Sequence, residues 1–205
     1  MAGGGDLGRG EAVLTPRLVL ASTSPQRRAI LEQLRIPFEL AEPRYVEHDP
    51  PDADPVSLVR EHALGKARSV HEAGQITLGV DTTVHLGQRV YAKPSGEDDA
   101  LAMLRDLAGR THEVLSGVCL ITEEGETVEH AGTRVTFRCL DELELERYVA
   151  SGEWEGRAGG YAIQGLGGRL IERIDGDYLN VVGLPGSLLI DQLAVHAPNL
   201  LQIRS

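Results

Sequence analysis

Ser22-Thr23-Ser24-Pro25 runs straight into Gln26-Arg27-Arg28, which sets two serine hydroxyls and two guanidiniums around the start of a predicted helix. The positive end of a helix dipole disfavours cations in the first turn and favours an anion there. Arg27 and Arg28 therefore call for a negative partner, and Ser22, Ser24 and the free helix-start amides make phosphate the fitting one. A plain Ser24-Pro25 cap with two solvated arginines is the competing reading. Asp81, after the apolar run Ile76-Thr-Leu-Gly-Val80, is predicted at a strand end, where ligands gather in open α/β sheets. A turn-forming aspartate fits the same position. Glu47, in an acidic loop, could join Asp81 in holding a hard divalent cation, which commonly takes one or two carboxylates plus substrate phosphates. It could equally be one solvated acid among its neighbours.

Three further polar residues belong to this set. Lys66 lies three residues after Ala63 and four before Val70, so it projects from the apolar face of its helix, either towards a partner or snorkelling past the core edge. Lys93, before Pro94, sits in a predicted loop and alone carries little information. Gln164 could read a base edge through its amide or satisfy backbone in a glycine-rich turn. Gly165, Gly167 and Gly168 do not form a GxGxxG dinucleotide fingerprint. Cys119 and Cys139 lie in apolar runs and read as buried thiols, and the seven histidines form no ligand pair, so a structural zinc site is not expected.

These residues need elements to hold them. Residues 18–21 read as a strand, and Ile30, Leu31 and Leu34 repeat at helical spacing after Pro25. Residues 41–56, with four prolines and five carboxylates, read as an irregular loop. Asp54-Pro55 then opens a helix with Val59, Ala63 and Ala67 on one face. Ile76–Val80 reads as a strand, and Val84–Leu86 with Arg89–Tyr91 as a hairpin. Ser95 and Asp98 have capping-box spacing ahead of a helix that Gly109 ends. Val114–Thr122 and Thr133–Leu140 are strand-like, and Asp141 with Glu144 caps another helix. Arg169–Ile174 and Tyr178–Val182 flank Asp175-Gly176-Asp177 as a second hairpin, and a last helix follows Pro185. Crossovers mixed with hairpins imply an α/β fold with a mixed sheet.

The 205 residues carry 20 Lys+Arg against 31 Asp+Glu, a net charge of −11, which argues against a nucleic-acid binder that works by neutralising many phosphates. With 41% hydrophobic and 25% charged residues the chain has an ordinary globular composition. The longest stretch free of charged side chains, Tyr178 to Ile190, is short of the roughly 20 residues that cross a bilayer. The glycine-rich residues 1–16 are expected to fray, with 17–205 as a single domain of two joined lobes. No secretory hydrophobic block precedes them, so a cytoplasmic location is expected.

Leu20-Ala-Ser-Thr-Ser-Pro-Gln-Arg-Arg28, Gly79-Val-Asp-Thr82, Lys93-Pro94, Ala158-Gly-Gly-Tyr-Ala-Ile-Gln-Gly165 and Asn180-Val-Val-Gly-Leu-Pro185 together resemble the Maf family of nucleoside triphosphate pyrophosphatases, from about residue 17 to 195. The resemblance implies an elongated mixed sheet flanked by helices, two lobes around a nucleotide cleft as in Maf and ITPase-like folds, and a homodimer. It also implies cleavage between the α- and β-phosphates of a nucleoside triphosphate with Mg²⁺ or Mn²⁺ as cofactor. By resemblance Asp81 is the proton acceptor, and Glu47 and Asp81 hold the metal. Ser22, Arg27 and Arg28 grip phosphate, and Lys66 and Lys93 balance triphosphate charge. Thr82 and Gln164 resemble the branch that prefers dTTP and UTP, whereas the 7-methyl-GTP branch usually carries Gln and Glu there. Gln26 departs from both branches, where arginine or tryptophan is typical, and that bears on base preference. Two rivals remain open: a nucleotide-binding regulatory protein of cell division with slow hydrolysis, and a nucleotidyl transferase.

Overall fold

Short apolar runs become strands here because each finds a paired neighbour and a helix to cover it. The computed structural model describes residues 17–50 and 53–202, so the expectation for residues 1–16 lies outside the described residues. The elements run β1 (Leu18–Ala21), α1 (Pro25–Gln33), β2 (Phe38–Ala41), α2 (Pro55–Arg68), β3 (Ile76–Leu86), β4 (Arg89–Tyr91) and α3 (Glu97–Leu107). They continue with β5 (Thr111–Thr122), β6 (Gly125–Phe137), α4 (Glu142–Val149), β7 (Ile171–Asp175), α5 (Tyr178–Val182) and α6 (Gly186–His196). The strands form one mixed sheet in the order β2-β1-β3-β5-β6-β7, with β4 paired to β3. β1 pairs β2 and β3 in parallel, and the remaining pairs are antiparallel. The expected α/β class with a mixed sheet is what forms.

One face of β3 feeds two separate hydrophobic clusters. Leu78 and Val80 join Leu18, Leu20, Ile30, Leu31, Val118, Leu120, Leu189 and Leu193 under α1 and α6. Further along the same face, Val84 joins Val114, Leu104, Leu107, Phe137 and Tyr161 under α3 and α4. Thr82 has the alternating position between them, at the seam. On the opposite face α2 lies against β3 and β5, with Ala63 and Ala67 against Cys119 and Ile121. Glycines permit this approach: a Cβ on Gly79 would stand 2.1 Å from the Ala63 carbonyl oxygen, and one on Gly117 would stand 2.1 Å from that of Val59.

Several expectations need correction. β3 does not stop before Asp81, because pairing with β5 continues unbroken to His85 opposite Glu113. The edge strand β2 has no alternating pattern to announce it, and it exposes Leu40. Tyr178–Val182 is a helical turn and not a hairpin strand. The Asp177 carboxylate accepts from the Leu179 amide at 2.8 Å, and buried Asn180 donates to the Val114 carbonyl and Thr133 hydroxyl, both at 3.0 Å. The capping box expected at Ser95 and Asp98 is displaced. α3 starts after Gly96, and it is Asp99 that accepts from the Ser95 amide and hydroxyl. The box at Asp141 and Glu144 forms as expected. Cys119 is buried, which pushes its thiol up to about 12, but Cys139 is exposed because β6 ends at Phe137.

Candidate active site

β1 ends at Ala21 opposite Gly79, while β3 runs on to Leu86, which leaves Asp81 and Thr82 without a parallel neighbour. That step in the sheet is where a ligand finds room. Ser24 caps α1, its hydroxyl accepting from the Arg27 amide at 3.4 Å, with Pro25 in the first turn. The Arg27 guanidinium folds back over the turn. It donates from Nη1 to Ser22 Oγ at 3.3 Å, from Nη2 to Thr82 Oγ1 at 3.2 Å and from Nε to the Gly183 carbonyl at 2.9 Å. Thr82 itself donates to the Gly183 carbonyl at 3.2 Å and meets Ser116 Oγ at 2.9 Å. Burial pushes the Arg27 guanidinium below its ordinary value, and the negative charges of Asp81 and Glu47 oppose that shift. Arg28 goes the other way: it is exposed and paired with Glu32 at 2.8 Å, outside the cavity.

Lys66 answers its placement on an apolar helix face by finding two carboxylates. Its Nζ lies 2.5 Å from Glu47 Oε1 and 2.6 Å from Asp81 Oδ1. Both Lys66 and Asp81 are 9% exposed, so this is a buried contact and not snorkelling. The close approach of α2 through Gly79 and Gly117 sets the distance, since Asp81 and Gly117 are directly paired and share that face.

The loop carrying Glu47 is fastened by a residue that sequence reasoning passed over. His62, one helical turn before Lys66 and 2% exposed, meets the Tyr45 hydroxyl through Nδ1 at 3.0 Å and Asp49 Oδ1 through Nε2 at 2.7 Å. Burial, then the surrounding carboxylates Glu61, Glu47, Asp81 and Asp49, push the Tyr45 phenol up. An ionised Asp49 carboxylate can only accept, so Nε2–H donates to it, and in the neutral ring Nδ1 is then the acceptor for the Tyr45 hydroxyl.

Glu47, Lys66 and the Ser22–Arg27 turn border a cavity of about 470 Å³; Asp81 is not one of its lining residues and adjoins it through the lining Lys66 and Thr82. Ser22, Ser24, Gln26, Arg27, Glu47, Lys66, Thr82 and Lys93 line it, and so do Tyr45, Glu155, Arg157 and Tyr161, which the sequence did not single out. Four cations, Arg27, Lys66, Lys93 and Arg157, face two lining carboxylates, a local positive excess in an acidic chain. Among the described residues the buried Arg157 Nε has no hydrogen-bond partner, as a cation awaiting an acceptor would. Gln164 is exposed at the start of the 3₁₀ turn Gly165–Arg169 and does not line the cavity.

A family model described as Maf-like protein matches residues 17–196. The chain belongs to the Maf family. Its relatives include a dTTP/UTP pyrophosphatase of Gloeobacter violaceus, 44% identical over 88% of this chain and 96% of that protein. Proteins of the same name from Deinococcus radiodurans and Nitratidesulfovibrio vulgaris are 43% and 45% identical, over 87% of this chain and 92% and 89% of theirs. Every cavity-lining residue of this Maf protein falls within the matched span. Among its described residues no group of three or more His, Cys, Asp or Glu side chains is disposed to hold a metal ion, and no helix is long and apolar enough to cross a membrane. Glu47 and Asp81, converging on one cationic point, are the hard-oxygen pair that fits Mg²⁺ or Mn²⁺ with water and phosphate completing the shell.

Proposed function

We propose that this chain is a nucleoside triphosphate pyrophosphatase that hydrolyses the α–β phosphoanhydride of dTTP and UTP to the monophosphate and pyrophosphate. The observation that carries the reading is the pair of carboxylates drawn together by Lys66 beside the Ser22, Ser24 and Arg27 turn. The names of relatives at 43–45% identity supply the substrate class.

Arg27 binds phosphate oxygens with a guanidinium already fixed by Ser22, Thr82 and Gly183, so little order has to be gained on binding. Asp81 holds Lys66 through Oδ1, which leaves Oδ2 to orient a water and take its proton. Lys66 and Lys93 offset the charge that spreads over the phosphates as the bond breaks. Glu47 and Asp81 would hold a divalent cation, which supplies charge neutralisation at the phosphates and acidifies bound water. Base choice falls to Gln26 on the cavity wall and to Thr82 through the Arg27 it orients. Gln164 stands outside the cavity wall, and its part in base choice rests on family resemblance alone. A cytoplasmic homodimer, and a role in clearing or regulating nucleotide pools, extend the proposal on family resemblance.

The test is a panel of dTTP, UTP, CTP, GTP and 7-methyl-GTP with Mg²⁺, Mn²⁺ or chelator, in the parent and in Gln26→Arg. We expect dTTP or UTP to lead in kcat/KM, chelator to abolish turnover, and the arginine variant to sharpen pyrimidine preference. A parent led by 7-methyl-GTP would overturn the base assignment. Nucleotide binding without turnover on every substrate would favour the regulatory reading.

A further inference from the structure

His62 and Lys66 stand four residues apart on one face of α2, and each takes hold of the loop that bears Glu47. Lys66 bonds Glu47 itself. His62 bonds the residues two before and two after it, Tyr45 and Asp49. The Tyr45 ring packs 5.6 Å from the His62 ring and over Gly65, where a Cβ would come within 2.3 Å of it. Apart from the Arg44 amide, which donates to Ser69 Oγ at 3.1 Å, the rest of that stretch has little to hold it: Val46 is 85% exposed, and residues 42–50 form no helix or strand. A loop without regular hydrogen bonding samples many positions unless side chains fasten it. We propose that His62 is a positioning residue for Glu47, fixing the backbone on both sides of it so that its carboxylate stays aimed at the point shared with Asp81.

The inference rests on the proposed role of Glu47 as a metal-holding carboxylate, and its physical core, the fastening of the loop, stands apart from that role. An imidazole suits the task because its two nitrogens lie on opposite edges, one accepting from Tyr45 while the other donates to Asp49. Sequence pattern alone would assign a buried histidine on this face to the core. Its two polar contacts point outwards to the loop instead.

The experiment uses the full chain with three variants: His62→Phe, which keeps a ring but removes both nitrogens, Tyr45→Phe, which keeps the ring over Gly65, and His62→Gln, which keeps one donor and one acceptor. Amide hydrogen exchange is followed over residues 44–50 without nucleotide, and Mn²⁺ binding is read by electron paramagnetic resonance without turnover. His62→Phe and Tyr45→Phe are expected to speed exchange in that segment about tenfold and to weaken Mn²⁺ binding by about the same factor, the lower end for loss of a supporting contact around a metal site. His62→Gln should recover part of both, and activity of His62→Phe should return towards the parent kcat at saturating Mn²⁺. Unchanged exchange in folded His62→Phe or in Tyr45→Phe would overturn the fastening, as would a fall in kcat that excess metal does not relieve. Faster exchange in a parent background that binds no Mn²⁺ would leave the fastening in place and remove the role given to Glu47. If His62→Phe does not fold, Tyr45→Phe and Asp49→Ala on the exposed loop, each removing one partner of the ring, decide the matter by the same two readouts.

Discussion

Asp81 shares an ammonium with Glu47, so Asp81→Asn removes basicity and charge while leaving an oxygen for Lys66 to bond. Loss of a general base costs about 10²–10⁴-fold in rate, and we expect kcat to fall in that range with nucleotide affinity nearly unchanged. Near-parental turnover at saturating metal would show that another group activates the water. Arg27→Ala is expected to weaken substrate binding and slow the chemistry together, because the guanidinium meets charge present in both ground and transition states. Kinetics indistinguishable from the parent would return Arg27 to a structural cap. Arg27 and Lys66 were legible in sequence because each violates a local rule, a cation at a helix start and a lysine on an apolar face. Ser22 and Asp81 fit ordinary turn roles equally well and stood out only through the family resemblance. Tyr45, His62 and Arg157 were not legible, since loop residues and a histidine on a buried face violate none. Nor does sequence alone tell which way Gln164 faces, because successive left-handed glycines at 159, 160 and 165 set the path of its turn.

At the scale of elements, the site depends on how closely α2 sits on the sheet. Gly117→Ala would drive a Cβ to 2.1 Å from the Val59 carbonyl oxygen and lift the helix that carries Lys66. Overpacking of this kind costs about 1–3 kcal/mol, and we expect lower stability to denaturant together with lower activity. Gly96→Ala is the control, since that glycine has extended backbone with nothing within 4 Å of an added Cβ. Equal stability of the two variants would mean that α2 does not need the close approach. The strands and helices with clean periodicity were readable from the chain. The errors fell where tertiary pairing overrode local pattern: β3 runs through Asp81 because β5 pairs it to His85, and Tyr178–Val182 coils because buried Asn180 spends its amide on β5 and β6.

For the whole molecule, stability is tied to pH by His112, buried against the second cluster. Burial holds the His112 imidazole down to about 4, beneath Phe137 and Tyr161. Above about pH 7.5 neither folded nor unfolded chain protonates it appreciably, so it adds little pH dependence there. As pH falls from 6.5 towards 4 the unfolded chain takes up a proton that the folded chain refuses, and stability declines by up to roughly 3 kcal/mol. Denaturant titrations at pH 7 and pH 5 should show this decline in the parent and a flatter response in His112→Leu. Identical slopes would mean that His112 is not held neutral. At the same scale, the step between β1 and β3 joins the seam of two hydrophobic clusters to a cation-rich cavity, lined by Val182 from beside one cluster and by Val84, Val114 and Tyr161 from the other. In the proposed reaction, water oriented at Asp81 breaks the α–β bond of the bound nucleotide. Its most direct test is the product balance of many turnovers on dTTP with Mg²⁺ or Mn²⁺, resolving monophosphate, diphosphate, phosphate and pyrophosphate. One monophosphate and one pyrophosphate are expected for each dTTP consumed, with both lost together in Asp81→Asn. Diphosphate with phosphate as the products, or a single bound nucleotide never turned over, would contradict it.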